Sequence, residues 1–286
     1  MFGSLAMAGA LAAVGPATVA EWRTACAGKD GWSDPAPPLH VFANVYDVGT
    51  CGITALLITS PKGHVLLDAA TAEAAPAIAA NIQRLGFKLA DIKLIGGSHE
   101  HVDHAGGIAE LQRLTGATVM ASAGSYNPYE TGKLDPADPQ FGLLPPYPPS
   151  KVGILLADEF VVRQGPLRLT AHLTPGHSPG STSWSWRSCE GKTCLTIVYA
   201  DSLTPVSSDQ YKFSAHRRYV AVFRASIDSI AHMKCDLLIT PHPGASNFID
   251  RLEGKAALVD PSACKAYAAK GRAALEQRLA KEKTGQ

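Results

Sequence analysis

The chain has 286 residues, 46% hydrophobic and 18% charged, enough apolar material for a substantial core and too much for wholesale disorder. Its 26 Lys and Arg against 25 Asp and Glu leave a net charge of +1. With no basic run and only 7% aromatic residues, it lacks the electrostatic footprint and the stacking platforms of a nucleic-acid binder.

No apolar run reaches the roughly 18 to 20 residues that span a bilayer. Residues 1–20 are uncharged, almost wholly small and apolar, and end Ala17-Thr18-Val19-Ala20, with small residues where signal peptidase reads them. They read as a signal peptide whose n-region lacks Lys and Arg, and residues 21–286 read as one exported domain, periplasmic and soluble. A loop dense in Gly, Pro, Asp and Ser follows at 28–38, and then apolar, β-branched stretches at 39–48, 53–59 and 64–68 read as strands. Residues 71–85 read as an amphipathic helix ended by Gly86, with Pro76 favouring a late start. A short buried strand at 92–95 runs into Gly96-Gly97-Ser98; a helix at 108–114 and a strand at 118–121 come next. Residues 124–150 hold seven prolines with Tyr126, Tyr129, Phe141, Leu143 and Leu144, the composition of a functional flap rather than a neutral connector. Strands are expected again at 160–162, 167–173, 181–186 and 195–199, then a helix at 227–233, a strand at 236–239 and a long final helix at 262–281. Helices and strands interleave in both halves with no polar linker, so the expected fold is α/β, with two sheets sandwiched between helices.

The six cysteines, Cys26, Cys51, Cys189, Cys194, Cys235 and Cys264, contain no C-x-x-C pair and support export. Cys189 and Cys194 enclose four residues between two strand-like runs, the spacing of a disulfide at a hairpin tip. Cys26–Cys51 and Cys235–Cys264 follow if each remaining cysteine pairs with its neighbour, although six cysteines allow many other pairings.

The strongest chemical signal is Ser98-His99-Glu100-His101-Val102-Asp103-His104-Ala105-Gly106-Gly107, directly after a strand and before a helix. His99 and His101 alternate, so an extended exit can aim both imidazoles into one site. Asp103 and His104 fall at the helix start, where an anionic ligand is favoured. Imidazole with carboxylate is a zinc or iron palette, and four such side chains in six residues fit two metal ions better than one. Two further histidines sit in proline-stiffened loops after strands: His177 in Thr174-Pro175-Gly176-His177-Ser178-Pro179-Gly180, and His242 in Thr240-Pro241-His242-Pro243. His40, His64, His172, His216 and His232 lack such settings and read as structural or solvent-facing, and Trp184 and Trp186 as strand packing.

These residues and their order resemble the metallo-β-lactamase superfamily, and within it subclass B3 of the zinc β-lactamases. The resemblance extends to Val48-Gly49-Thr50-Cys51-Gly52 and Tyr199-Ala200-Asp201-Ser202-Leu203, with Ser202 where other subclasses place a cysteine ligand. It implies a four-layer αβ/βα sandwich and two Zn2+ per chain. Site one would use His99, His101 and His177, and site two Asp103, His104 and His242. The three disulfides also look like those of a well-bridged branch. What the resemblance implies chemically is opening of the β-lactam amide of penicillins, cephalosporins and carbapenems by a zinc-bound hydroxide steered by Asp103. Ser202 and Thr204 would bind the substrate carboxylate, and Gln140 in the flap would contact substrate. Asp47 stands where many relatives carry an aromatic residue, which would alter the pocket rim. The expected partner is a small-molecule β-lactam, with neither nucleic acid nor membrane, and the chain acting as a monomer. The same fold hosts di-zinc hydrolases of lactones and thioesters, in which an aspartate bridges both metals. Asp201 falls one residue before that position, and in a strand a one-residue shift turns a side chain to the other face, so Asp201 reads as a supporting residue. A secreted zinc-stabilised binding protein is the third reading; six ligands are more than a tetrahedral structural site uses.

Overall fold

The computed structural model describes residues 15–284; of the expected leader, residues 1–14 lie outside the described residues. Ala17 bridges Leu39, and helix α1 (Val19–Ala25) crosses the point after Ala20 where the leader was expected to end. Its N-terminus is closed by a reciprocal capping box between Thr18 and Glu21, which satisfies two otherwise orphaned N–H groups. Trp22 of this helix is buried in the core.

Two sheets form the centre. One runs β1 (Leu39–Phe42), β2 (Val45–Asp47), β3 (Leu56–Ile58), β4 (His64–Leu67), β5 (Ile92–Gly96), β6 (Thr118–Ser122) and β7 (Val152–Leu156), in chain order. The first four strands are antiparallel neighbours, and from β4 onward the pairs are parallel because helices α2 (Ala75–Arg84), α4 (Ile108–Thr115) and α5 (Ala123–Thr131) return the chain each time. The other sheet is ordered β12 (Leu237–Ile239), β11 (Thr193–Tyr199), β10 (Thr182–Glu190), β9 (Leu167–Leu173) and β8 (Phe160–Gln164).

Strand alternation builds the layers. In β4, Val65 and Leu67 enter the core between the sheets, whereas Leu66 packs outward with Ile78 and Ile82 of α2 and Leu111 of α4. In β11, Ile197 and Tyr199 face inward, and Val198 faces Phe223 and Ile227 of α6 (Arg217–His232) and Leu275 of α8 (Ala263–Thr284). Strands covered on both faces read as continuous apolar runs, as Val65–Leu67 and Ile197–Tyr199 do. The order is helix, sheet, sheet, helix, with Trp184 and Trp186 in the middle.

Several elements differ from expectation. The first expected strand folds back at Ala43 into the β1–β2 hairpin. Helix α2 starts at Ala75, with Pro76 in its first turn, where a missing N–H costs nothing. The proline-rich flap opens with α5, which contains Pro128, and it ends in β7, a strand with no counterpart in the sequence reading. Helix α6 begins ten residues before the expected helix, and α7 (Phe248–Leu252) was not anticipated.

All six cysteines are paired as neighbours: Cys26–Cys51, Cys189–Cys194 and Cys235–Cys264. Cys189 and Cys194 face each other across the β10–β11 hairpin, and Cys235–Cys264 ties the start of β12 to α8. Loop-closure entropy predicts about 3–4 kcal/mol from the 29-residue separation of Cys235–Cys264 and about 2 kcal/mol from the 5-residue separation of Cys189–Cys194. Urea unfolding of the two paired Cys→Ala variants should therefore show the Cys235/Cys264 variant as the less stable; the reverse order would contradict this ranking.

Candidate metal centre

The centre lies beyond the C-terminal ends of strands, where α/β folds place ligands. Strand β5 ends at Gly96, and the bent segment 97–101 that follows carries His99 and His101. The chain then turns into helix α3 (Val102–Ala105), whose first turns present Asp103 and His104. Strands β9, β11 and β12 run in the same direction, since β9 and β11 are each antiparallel to β10 and β12 is parallel to β11. His177 follows β9, Asp201 to Thr204 follow β11, and His242 follows β12.

Ligand atoms of His99, His101 and His177 lie within 4.8 Å of one another, as do those of His99, Asp103 and His104. His99 belongs to both groups, its ring centroid 4.2 Å from that of His104 and 4.8 Å from that of His177. His242 joins the second group: its Nε2 lies 3.3 Å from His104 Nε2 and 3.4 Å from Asp103 Oδ2. His242 is half-exposed, whereas His99, His101, His104, His177 and Asp103 are buried.

Each imidazole is anchored by the nitrogen that faces away from the others. His99 Nδ1 donates to Asp201 Oδ1 (2.8 Å), His101 Nε2 to Asp138 Oδ2 (3.1 Å) and His104 Nδ1 to Asp68 Oδ2 (3.0 Å). His177 Nδ1 donates to the Thr204 carbonyl (2.8 Å), and His242 Nδ1 to the Gly52 carbonyl (3.3 Å). A backed nitrogen fixes the tautomer and leaves the opposite nitrogen as a lone-pair donor, the arrangement metal-binding histidines adopt. His99 Nε2 is buried with no hydrogen-bond partner among the described residues. An orphaned buried nitrogen is costly unless something else fills its lone pair. The donor set of imidazoles with one carboxylate fits zinc.

Protonation suits ligation at His99 and His177, whereas His104 is ion-paired with Asp103 and must give up a proton before its Nε2 can hold a metal. Burial, reinforced by the neighbouring histidines, drives His99 well below its ordinary range, and burial with His101 takes His177 down to about 3, so both are neutral. Burial works against ionisation of Asp103 and His104, but their mutual attraction prevails. Asp103 is held well below the usual carboxylate range, and His104, with Asp68 adding to the effect, is raised to about 10.

Three buried carboxylates that sequence reasoning did not single out support the centre. Asp68, at the end of β4, accepts from the Ser98 amide, from Ser98 Oγ (2.7 Å), from His104 and from the Tyr199 hydroxyl (2.7 Å). Asp138 accepts from His101 and from the Gln140 amide (2.7 Å). Glu100 turns away from its histidine neighbours and accepts from Gly180 N (2.9 Å), Ser178 Oγ (2.8 Å) and Ser125 Oγ (3.1 Å), lashing the His99–His101 segment to the His177 loop. Gly124 makes this closeness possible, because a Cβ there would strike the Pro179 backbone.

The flap folds over the centre. Gln140 is buried, with Nε2 3.3 Å from His177 Nε2 and 3.5 Å from His101 Nδ1, while Phe141 and Leu143 are exposed and Leu144 is partly buried. Ser202 is buried; Thr204 is exposed, and its hydroxyl lies 3.1 Å from His177 Nδ1. Asp201 sits behind His99 as a supporting residue. Asp47 corrects the expectation of an altered rim: it is buried in β2, its carboxylate turned into the loop that follows. The remaining histidines stay apart: His40 bonds Ala43 O, His64 accepts from Ser60 N, His172 bonds Glu159 and Ser185, and His216 and His232 bond carbonyls of Lys212 and Asp228.

Removing the Glu100 carboxylate strands the buried Gly180 N–H, at roughly 1–3 kcal/mol, and leaves the Ser125 and Ser178 hydroxyls only Gly180 O and Ser181 Oγ as acceptors. Glu100→Ala is expected to lower the unfolding free energy by about 1–3 kcal/mol in urea titration; an unchanged midpoint would contradict the lashing role.

The family model described as the metallo-beta-lactamase superfamily matches residues 48–190. The metallo-β-lactamase MIM-1 from Novosphingobium pentaromativorans is 49% identical, over 93% of this chain and 98% of its own, with a TM-score of 0.90. The metallo-β-lactamase SMB-1 is 46% identical over 88% of this chain and 99% of its own, with a TM-score of 0.86. MEM-A1, a subclass B3 metallo-β-lactamase isolated from a soil metagenome library, is 44% identical over 90% of this chain and 100% of its own, with a TM-score of 0.85. The chain therefore belongs to the metallo-β-lactamase superfamily, and within it to subclass B3.

Proposed function

We propose that this chain is a zinc-dependent β-lactamase that holds two zinc ions and opens the β-lactam amide of penicillins, cephalosporins and carbapenems. The observation that carries the reading is the convergence of the two ligand groups around His99, with every outward imidazole nitrogen already tied to a protein acceptor. His99 Nε2, His101 Nδ1 and His177 Nε2 would hold one ion; an Asp103 oxygen, His104 Nε2 and His242 Nε2 would hold the other. Zinc bound there supplies a water of lowered pKa and polarises the carbonyl oxygen under attack.

The chain's own groups do the rest. Asp103 orients the attacking water by accepting a hydrogen bond from it. The water oxygen bonds to the ring carbonyl carbon, the C–N bond breaks, and the water's proton ends on the ring nitrogen. Ser202 Oγ and the Thr204 hydroxyl donate to the substrate carboxylate, and the Gln140 amide, already over His177 and His101, contacts the substrate from the flap. Phe141 and Leu143, both exposed, offer apolar surface to the drug side chain. Asp201 Oδ1 is tied to His99 Nδ1, which weighs against Asp201 as the bridging aspartate of the lactone or thioester reading.

Three disulfides suit an oxidising compartment, which supports export to the periplasm; a leader over residues 1–20 and one monomeric domain after it belong to the same proposal. Among the described residues, no helix is long and apolar enough to cross a membrane. Because Thr18 caps α1 and Ala17 bridges Leu39, a cut before Ala17 preserves more structure than one after Ala20. N-terminal sequencing of the secreted protein tells the two apart.

The test is hydrolysis of a carbapenem by purified protein with zinc and after chelation, beside a lactone and a thioester. Chelator-sensitive opening of the carbapenem is expected, with His101→Ala falling to the chelated level. Losing one hydrogen bond to a charged group costs about 1.5–3 kcal/mol, so Ser202→Ala should raise KM by about ten- to a hundredfold with little change in kcat. Turnover of the lactone or thioester alone would refute the β-lactam assignment.

A further inference from the structure

We infer that Asp47 is a positioning residue for the centre, its carboxylate fixing the 48–55 loop so that the Gly52 carbonyl aligns His242. The inference rests on the reading of His242 as a ligand of the second ion.

His242 is the least enclosed of the five imidazoles, with 39% of its side chain exposed. The other four are backed by carboxylates or by a carbonyl in the chain segment that follows β11. His242 is backed by a loop 190 residues away in sequence, through Gly52 O at 3.3 Å. The same loop grips the preceding residue as well, since Thr54 N donates to Pro241 O at 2.8 Å. The direction of His242 Nε2 therefore depends on where the tip of this loop stands.

One carboxylate oxygen closes the base of the loop. Asp47 Oδ1 accepts from Gly49 N (3.0 Å) on the outgoing limb and from Ala55 N (3.2 Å) on the returning limb. Above it, Val48 N bonds Ala55 O, Thr50 N bonds Ile53 O and Ile53 N bonds Thr50 Oγ1, so the clamp at the base is transmitted to the tip. Gly49 is needed inside the clamp, because a Cβ there would meet the Ile53 carbonyl and the Ala55 amide. The Cys26–Cys51 disulfide then pins the tip to the end of α1. Asp47 does this from inside β2, almost wholly buried, where burial pushes its carboxyl up to about 7 against the two N–H donors. An apolar residue there would avoid the desolvation of a carboxylate and would leave both amides without acceptors.

The full chain is prepared as wild type, Asp47→Ala, Asp47→Asn, Asp47→Glu and His242→Ala, and stepwise zinc affinity is read by competition with a chromophoric chelator. Disturbing a group that orients a metal ligand costs about ten- to a hundredfold in affinity. Asp47→Ala is expected to bind the first equivalent like wild type and the second at least about tenfold more weakly. Asp47→Asn, whose side-chain oxygen can still accept from both amides, is expected to restore most of that loss. Asp47→Glu displaces the accepting oxygen and should weaken the second equivalent as Asp47→Ala does, which provides the reading if Asp47→Ala fails to fold. A second equivalent as tight as wild type in the folded variants overturns the inference. So does equal weakening of both equivalents, the mark of a merely structural role. If His242→Ala keeps its second equivalent, the reading of His242 as a ligand falls instead.

Discussion

The structure depends on the Asp68 carboxylate, which is wholly buried where the two sheets meet. It collects the Ser98 amide and hydroxyl from the exit of β5, the imidazole of His104 from α3 and the hydroxyl of Tyr199 from β11. A buried carboxylate is costly unless its oxygens are hydrogen-bonded, and here both oxygens are, which ties both sheets to the centre. Its backbone adopts a positive φ of 64°, which turns the chain out of β4 toward the site; Asp tolerates that region better than most residues. Asp68 N bonds Gly96 O, so β4 and β5 end together and the histidine-bearing segment starts from a fixed point.

From that point the architecture becomes a means of pointing imidazoles. Five rings come from four chain segments, and each is held by its outer nitrogen: three by carboxylates and two by carbonyls. The supports come from β4, the flap, the segments after β11 and the 48–55 loop, so no single loop orients the whole set. Trp184 reinforces the floor by donating from its ring nitrogen to Gly97 O (3.0 Å). Tyr147 reaches from the end of the flap to the Glu100 carbonyl (2.8 Å), coupling the cover of the site to its base.

The histidines and Asp103 were legible in sequence because metal ligands leave a short-range pattern: alternation, a helix start and rigid proline loops. The supporting carboxylates were not, because Asp68, Asp138 and Glu100 tie together segments 25 to 131 residues apart and carry no local signature. The two-sheet layering was visible in strand-like stretches with apolar centres, such as 64–68 and 195–199. Helix α5 was hidden by Gly124 and Pro128, poor helix formers that tertiary contacts override. Tyr129 is buried there, its carbonyl accepts from Ser150 N, and Gly124 packs on Pro179. Helix α1 was obscured because its small residues also suit a leader, and only the Thr18–Glu21 box and buried Trp22 distinguish it. Asp47 was noticed as a departure, but its role depends on amides it meets only after the loop has closed.

The most direct test of the account is anomalous diffraction at the zinc edge from crystals of the zinc-loaded chain. The account predicts two zinc peaks, one among His99 Nε2, His101 Nδ1 and His177 Nε2, the other among Asp103, His104 Nε2 and His242 Nε2. A single peak, or an Asp201 oxygen bound to both ions in place of its bond to His99, would contradict it.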